Sequence, residues 1–227
     1  SYPQIDDVLP LSPLQEGLLF HALFDAQGPD FYAVQIVFDL EGPLQSDVLR
    51  AAADALLQRH ASLRAAFQHE NLNRPVQIIV PAARVPWRSI DLSALDEASR
   101  EQRLTQILAE DCAERFDLAA PPLLRFTLIR LGADRHRLLF SSHHILMDGW
   151  SMPVLIQELL TLYGQRGDGG SLPRVTPYRD YLAWLAGQDR AAAVSAWSTA
   201  LAGLEEATLL AGPERGGAPA LPEQLLL

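Results

Sequence analysis

Apolar residues recur at helical spacing in several long segments of the chain. Ser12 and Pro13 suit a helix cap and a first helical turn, and Leu14, Leu18 and Leu19 follow them, so a helix is predicted to about residue 24. The same period predicts further helices at residues 44–60, 97–116, 151–163, 177–188 and 190–201, the last ended by a glycine at 203.

Runs rich in β-branched and aromatic residues predict strands between these helices. The strands are placed at residues 32–40, 65–69, 76–80, 123–131 and 137–142, and the proline-bearing segment 81–87 is interpreted as a connection. The last two strands flank a Gly-Ala-Asp-Arg turn and predict a β-hairpin. Because both are almost wholly apolar, we expect them at the centre of a sheet covered on both faces. The fold class that follows is α/β.

Composition narrows the class of protein. The 227 residues are 48% hydrophobic and 20% charged, which is typical of a folded chain. A net charge of -10 argues against a nucleic-acid partner, and no apolar run approaches the roughly 18 residues that span a bilayer. The first residues lack a signal peptide and a starting Met. We expect a cytoplasmic location, no membrane contact and a parent chain that is longer.

The single cysteine excludes an intrachain disulfide. Cys112 lies on the apolar stripe of the helix predicted at 97–116, together with Leu104 and Ile107. We therefore expect Cys112 to be buried and unreactive.

Candidate chemistry concentrates in residues 138–151. A buried apolar strand runs into His143 and His144, followed by a turn that contains Asp148 and a helix start capped by Ser151. The end of a central strand before a helix is where α/β proteins tend to build sites, and histidine exchanges protons near neutral pH. Adjacent strand residues point to opposite faces, so one histidine at most can face a given cavity. A purely structural histidine and a metal site of His144 with Asp148, which lacks a nearby third ligand, remain alternatives.

Four ordered motifs resemble one family. His143-His144-Ile145-Leu146-Met147-Asp148-Gly149 resembles the signature of nonribosomal peptide synthetase condensation domains, in the chloramphenicol acetyltransferase-like superfamily. Residues 9–21 (LPLSPLQEGLLFH), 59–67 (RHASLRAAF) and 178–184 (YRDYLAW) resemble three further motifs of that family. The resemblance extends to about Leu204. It implies an α+β two-layer sandwich, a chloramphenicol acetyltransferase-like lobe whose mixed β-sheet is packed by helices.

The resemblance also implies a domain organisation. Family members are about twice as long, and the motifs of their second lobe do not occur in this sequence. We expect residues 1–175 to form the N-terminal lobe that carries the signature and residues 176–204 to form a helical segment at the lobe junction. Residues 205–227 are interpreted as a Gly/Pro-rich tail that starts a missing second lobe. The chain alone is expected to fold without being active.

The implied activity is acyl transfer that forms an amide bond between an upstream acyl or peptidyl thioester and the α-amine of a downstream aminoacyl thioester. His144 is the implied catalytic residue, either as a base or as a hydrogen-bond partner that holds the amine. An α-amine has a pKa of about 8, so about a tenth of it is neutral at about pH 7, and positioning could matter more than base catalysis. Both roles stay open.

Supporting roles are implied for His143, Asp148, Gly149 and Arg64, and substrate-tunnel positions for Trp150 and Ser151. His143 is expected to be buried and structural. Asp148 is expected to form an ion pair with an arginine, for which Arg64, Arg125 and a partner in a missing segment are equally open. Gly149 either admits a substrate arm or simply forms a turn.

The implied partners are the upstream and downstream peptidyl carrier proteins, the missing C-terminal lobe and an adjacent adenylation domain. The carrier proteins would supply 4′-phosphopantetheine, and no metal or directly bound cofactor is expected. The first motif resembles that of domains that accept a D-configured donor. Two alternatives are a non-catalytic module that docks carrier proteins and a self-associating CoA-type acyltransferase.

Overall fold

The computed structural model of the chain describes residues 5–24 and 30–205. These residues divide into a first compact unit that ends at Arg179 and a second that begins at Asp180. Apart from Glu205, the predicted Gly/Pro-rich tail lies outside the described residues, and the predicted domain boundaries stay predictions. None of the helices in the described ranges is long and apolar enough to cross a membrane.

Every predicted helix is present, with small differences at the ends. The helices are α1 (Pro13–Phe24), α2 (Ser46–Arg59), α3 (Glu97–Ala113), α4 (Ser151–Gly164), α5 (Tyr178–Ala186) and α6 (Arg190–Ala200). The strands are β1 (Asp7–Pro10), β2 (Ala33–Glu41), β3 (Ala65–Gln68), β4 (Val76–Ile79), β5 (Trp87–Asp91), β6 (Leu124–Arg130) and β7 (Arg135–His143). Of these strands, β1 and β5 were not predicted.

Two sheets form within the described residues. The larger has the order β2-β7-β6-β5, in which β7 runs antiparallel to both β2 and β6, and β5 runs parallel to β6. The predicted hairpin of β6 and β7 is therefore confirmed at the centre of a mixed sheet. The smaller sheet has the antiparallel order β1-β4-β3.

Helices cover both faces of the larger sheet. Leu56 of α2 and Leu159 of α4 share one apolar cluster with Phe126 and Phe140 of the sheet. On the other face, Ile107 belongs to α3 and shares a second cluster with Ile129 and Leu139. The expected mixed sheet packed by helices is confirmed, and α3 adds a further layer on the opposite face.

The smaller sheet forms a third apolar cluster that includes part of the signature. Ile145 is 2% exposed and lies in this cluster with Phe67, Ile79 and Leu123, together with Leu19 of α1. Ile145 thus anchors the turn after β7 between α1 and the smaller sheet.

A carboxylate joins the end of α2 to α4. Oε2 of Glu158 accepts from Nε of Arg59 at 2.9 Å and lies 2.6 Å from Nε2 of His60. Burial alone would raise the pKa of Glu158, but hydrogen bonds from Arg59 and His60 outweigh it and lower that pKa below its ordinary value. This contact fixes α4, the helix that begins directly after the signature.

The prediction that Cys112 is buried was wrong. At this end of α3, the side chain that points inward is that of Asp111, which is 7% exposed. The thiol of Cys112, one residue later, is exposed. Asp111 turns inward because Arg125 and Ser141 lie there to receive its carboxylate. An apolar period alone cannot reveal such a buried polar contact.

The second unit holds the chain from Asp180 onward, with α6 in it. The side chain of Asp189 caps α6 by accepting the N–H of Ala192 at 3.0 Å. Gly203 follows the helix at a φ of +86°, a left-handed conformation that favours glycine. The helix ends at Ala200 and its C-cap residue is Leu201, so the prediction of Gly203 in the C-cap position was wrong.

Candidate functional site

The two histidines of the signature have opposite environments. His143 ends β7 with 0% of its surface exposed, whereas His144 is exposed. The N–H of His144 donates to the carbonyl of Tyr32 at 2.8 Å, so the backbone continues alongside β2 for one more residue. Strand alternation therefore sends one ring into the interior and the other to the surface.

His144 has a defined arrangement of its ring nitrogens. Its Nδ1 lies 3.1 Å from the carbonyl oxygen of Met147. A carbonyl can only accept, so Nδ1 carries the proton in this contact. In the neutral ring the acceptor is then Nε2, on the side of the ring away from the Met147 contact. An exposed Nε2 lone pair can accept a proton or a hydrogen bond from an incoming amine.

His143 has the opposite arrangement. The N–H of Ile145 donates to its Nδ1 at 3.0 Å, so that nitrogen acts as the acceptor. Its Nε2 faces Oδ2 of Asp30 at 3.5 Å, and the Asp30 side chain is 4% exposed. Burial alone would raise the pKa of Asp30, but His143 and the N–H of Tyr32 lower it below its ordinary value. No sequence signal points to Asp30, since it lies in a loop without a motif.

Asp148 begins α4. Its Oδ1 accepts from the hydroxyl of Ser151 at 2.8 Å and from the Ser151 N–H at 3.0 Å. These hydrogen bonds hold the pKa of Asp148 below its ordinary value, and the bond from the Ser151 hydroxyl has the largest effect. The expectation that Ser151 caps the helix was wrong: Ser151 is the first helical residue, and Asp148 supplies the acceptor. A short polar acceptor at this place offsets the unpaired N–H groups of the helix start.

Arg64 is not the partner of Asp148. Its buried guanidinium donates to the carbonyls of Leu57 at 3.0 Å, Gln58 at 2.7 Å and Val80 at 2.9 Å. Nη2 of Arg64 also lies 3.4 Å from Oδ2 of Asp6. Arg64 thus ties the end of α2 to the smaller sheet, and pairing it with Asp148 was wrong.

Arg125 is likewise committed elsewhere. Its Nε donates to Oδ1 of Asp111 at 2.8 Å, and its guanidinium lies 4.3 Å from the ring centre of Phe116. Gln35 donates to the other Asp111 oxygen at 2.7 Å, and the hydroxyl of Ser141 donates to it as well. The candidate pair of Asp148 with Arg125 was wrong, because this network already satisfies the arginine.

The surface beside His144 is open. Trp150 is 88% exposed, and Gly149 and Ser151 are exposed as well. A Cβ built on Gly149 would meet nothing within 4 Å, and its φ lies outside the left-handed region. Nothing in the described fold therefore requires glycine at this position. In residues 5–24 and 30–205, no group of three or more His, Cys, Asp or Glu side chains could hold a metal ion.

Comparison with known proteins identifies the family of this site. The family model described as "Condensation domain" matches residues 5–220. The chain belongs to the condensation-domain family. The mixed α/β fold and the position of the signature after a central strand agree with this family assignment. The sequence motifs had predicted the same family.

Peptide synthetases are among the relatives of this condensation-domain chain. Bacitracin synthase 1 of Bacillus licheniformis is 37% identical over 215 residues, which cover 94% of this chain and 4% of that protein. Tyrocidine synthase 2 of Brevibacillus parabrevis is 35% identical over 222 residues, which cover 97% of this chain and 6% of that protein. The chain therefore spans a small part of each of these relatives.

Solved structures show the same fold. The SgcC5 protein from Streptomyces globisporus superimposes with a TM-score of 0.69 at 29% identity, over 86% of this chain and 46% of that one. The EpoB NRPS cyclization-docking bidomain from Sorangium cellulosum gives a TM-score of 0.74 at 23% identity, over 89% of this chain and 41% of that one. The condensation-domain chain spans less than half of both structures.

Proposed function

We propose that this chain supplies one half of the active site of a nonribosomal peptide synthetase condensation domain. That domain joins an upstream acyl or peptidyl thioester to the α-amine of a downstream aminoacyl thioester. The observation that carries the proposal is the ring of His144, which is exposed and holds Nδ1 against the Met147 carbonyl so that Nε2 is the acceptor. It is the second histidine of the signature in a chain of this family.

The reaction needs one proton to move. The amine nitrogen attacks the thioester carbon, the C–N bond forms, the C–S bond breaks, and the sulfur leaves as a thiolate. The nitrogen loses one proton and the thiolate gains one, so the products are an amide and a thiol. Nε2 of His144 accepts a hydrogen bond from the amine. This bond orients the lone pair of the amine nitrogen toward the thioester carbonyl.

The substrates arrive on partners. Two carrier proteins, one upstream and one downstream, present their thioesters on 4′-phosphopantetheine arms, and the open surface at Gly149 and Trp150 admits an arm. A second lobe closes the tunnel, and an adenylation domain loads the downstream carrier. Residues 12–21 within the first motif support a D-configured donor by their resemblance to domains of that subtype.

The test is the substitution His144→Ala in a polypeptide that contains both lobes. Amide product from two loaded carrier proteins, measured by mass spectrometry, is expected to fall about a hundredfold or more. His69→Ala is the matched control, because His69 is exposed and lies outside the signature. Undiminished amide formation in His144→Ala would remove the catalytic assignment. Carrier binding without amide formation by the unsubstituted two-lobed polypeptide would favour the non-catalytic docking module.

A further inference from the structure

The start of α1 carries a reciprocal pair of hydrogen bonds. The hydroxyl of Ser12 accepts from the N–H of Gln15 at 3.2 Å, and Oε1 of Gln15 accepts from the N–H of Ser12 at 3.0 Å. This is a capping box, in which two N–H groups at a helix start are satisfied by side chains. A capping box uses only the oxygen of the glutamine, so its amide nitrogen is available for another role.

That amide nitrogen reaches the signature. Nε2 of Gln15 donates to the carbonyl of Ile145 at 3.1 Å. Oε1 of Gln15 also accepts from Nε2 of Gln77 at 3.2 Å and from the hydroxyl of Tyr178 at 3.3 Å. Three donors surround the oxygen and one carbonyl faces the nitrogen, so the orientation of the amide is fixed. Gln15 is only 7% exposed, which leaves little room for an alternative orientation.

Residue Ile145 is held through both of its backbone polar groups. Its N–H donates to Nδ1 of His143, and its carbonyl accepts from Gln15. The N–H of Leu146 in turn donates to the carbonyl of His143 at 3.1 Å, which closes the turn. Met147 follows, and its carbonyl is the acceptor for Nδ1 of His144. The position of the Met147 carbonyl therefore depends on this turn. Gln15, which lies in α1, holds the turn through the Ile145 carbonyl.

We propose that Gln15 is a positioning residue for His144. By holding the Ile145 carbonyl, Gln15 keeps the turn in the conformation that places the Met147 carbonyl against Nδ1 of His144. The acceptor lone pair of His144 is thereby held on Nε2. The effect on amide formation rests on the proposed function, whereas the effect on the ring proton of His144 does not.

Gln15→Glu removes the bond to the Ile145 carbonyl, keeps an acceptor oxygen for the capping box, and adds a negative charge beside that carbonyl. A glutamate has the same length, and its carboxylate accepts from Ser12, Gln77 and Tyr178, the three donors around the present oxygen. A carboxylate cannot donate to the Ile145 carbonyl. Gln15→Met removes the whole amide at similar volume. Gln35→Met is the matched control, because the Gln35 amide ties α3 to β2 through Leu108 and Asp111 and does not contact the turn.

The measurement is the nitrogen chemical shifts of the His144 ring in isotope-labelled 227-residue chain, at about pH 8, where an ordinary histidine is neutral. The unsubstituted chain is expected to show the Nδ1–H form. Gln15→Glu and Gln15→Met are expected to shift His144 toward the mixture of forms in an unrestrained ring, whereas Gln35→Met leaves it unchanged. Unfolding in urea measures the free energy of unfolding of each variant. If destabilisation alone altered the His144 shifts, a destabilised Gln35→Met chain would show altered shifts as well.

Two results would overturn the proposal. One is a folded Gln15→Glu or Gln15→Met chain with the His144 shifts of the unsubstituted protein. The other needs no variant: an Nε2–H form of His144 in the unsubstituted chain. In the two-lobed polypeptide, Gln15→Glu is expected to lower kcat by about tenfold to a hundredfold and to leave the KM for the carriers unchanged. If His144→Ala retains activity, the proposed function fails, while the ring shifts still decide the role of Gln15.

Discussion

His143 and His144 are chemically identical neighbours with opposite hydrogen-bond roles. Nδ1 of His143 accepts from a backbone N–H, and Nδ1 of His144 donates to a backbone carbonyl. Each contact fixes which nitrogen carries the proton, so the backbone of one short turn assigns both rings. The buried ring serves the turn, and the exposed ring presents its acceptor to the surface.

Gly149 gives a prediction at this scale. Because a Cβ there meets nothing within 4 Å and its φ is not left-handed, Gly149→Ala is expected to change the free energy of unfolding by less than about 1 kcal/mol. Under the proposed function, amide formation by the two-lobed polypeptide is expected to fall, since the methyl group would occupy the space proposed for a substrate arm. Urea unfolding and product analysis check the two parts.

Gly164→Ala is the control for this substitution. Gly164 lies at the other end of α4 and is equally open, so its replacement is expected to leave amide formation unchanged. A Gly149→Ala variant with full activity would show that the open space does not serve the substrate. A large loss of stability would show that Gly149 is needed for the turn itself.

The residues of the site differ in how well the sequence alone predicts them. His144 was found because the signature is a dense local pattern. Gln15 had a weak local signal, its spacing from Ser12, which indicates a capping box but not the bond to Ile145. Asp30 had none. The two candidate arginines within the chain, Arg64 and Arg125, were wrong as partners of Asp148 because ion pairs between distant segments depend on the fold, not on spacing; a partner in a missing segment stays a prediction.

At the scale of elements, Asp111 joins α3 to the larger sheet. Its carboxylate accepts from Arg125 of β6, Gln35 of β2 and Ser141 of β7. Burial alone would raise the pKa of Asp111, but these hydrogen bonds outweigh it and lower that pKa below its ordinary value. One side chain thus connects a helix to three neighbouring strands.

Asp111→Asn is expected to lower the free energy of unfolding by about 3 kcal/mol near neutral pH, because it leaves Arg125, whose side chain is 11% exposed, without a countercharge. The difference from the unsubstituted chain is fully present above the ordinary carboxyl pKa of about 3.9 and disappears as the pH falls through it toward the lower folded-state value. Urea unfolding across this pH range checks both statements.

Asp91→Asn is the control for the charge change. Asp91 pairs with Arg130 at 3.4 Å, but the two side chains are 57% and 51% exposed, so a much smaller effect is expected. Equal losses in the two variants, or an Asp111→Asn loss that persists in acid, would contradict the role assigned to Asp111.

The strands missed by sequence reasoning share a physical cause. β5 lies at the edge of the larger sheet, and its sequence Trp-Arg-Ser-Ile-Asp lacks a strict alternation of apolar and polar residues. β1 is four residues long and ends in a proline. Edge strands need little burial, so their hydrophobic signal is weak. The central hairpin was predicted because both of its faces are buried.

At the scale of the whole molecule, α1 has an unusually apolar exposed surface. Leu14 is 69% exposed, Phe20 61% and Phe24 81%, all on one helix of the first unit. Single exposed apolar residues are ordinary, whereas a large contiguous apolar patch is typical of a surface that contacts another protein segment. The chain also spans less than half of the solved relatives. Both observations agree with a site that this chain completes only together with further structure.

The 227-residue chain alone is therefore expected to form no amide product. His144 is exposed, so an amine beside it competes with water, and a single surface cannot hold two thioesters at reacting distance. The measurement incubates the chain with both loaded carrier proteins and analyses the products by mass spectrometry, with a two-lobed polypeptide as the positive control. Solution mass is measured on the same sample. Amide product from a monomeric chain would show that one lobe suffices, and product from an oligomer would favour a self-associating acyltransferase.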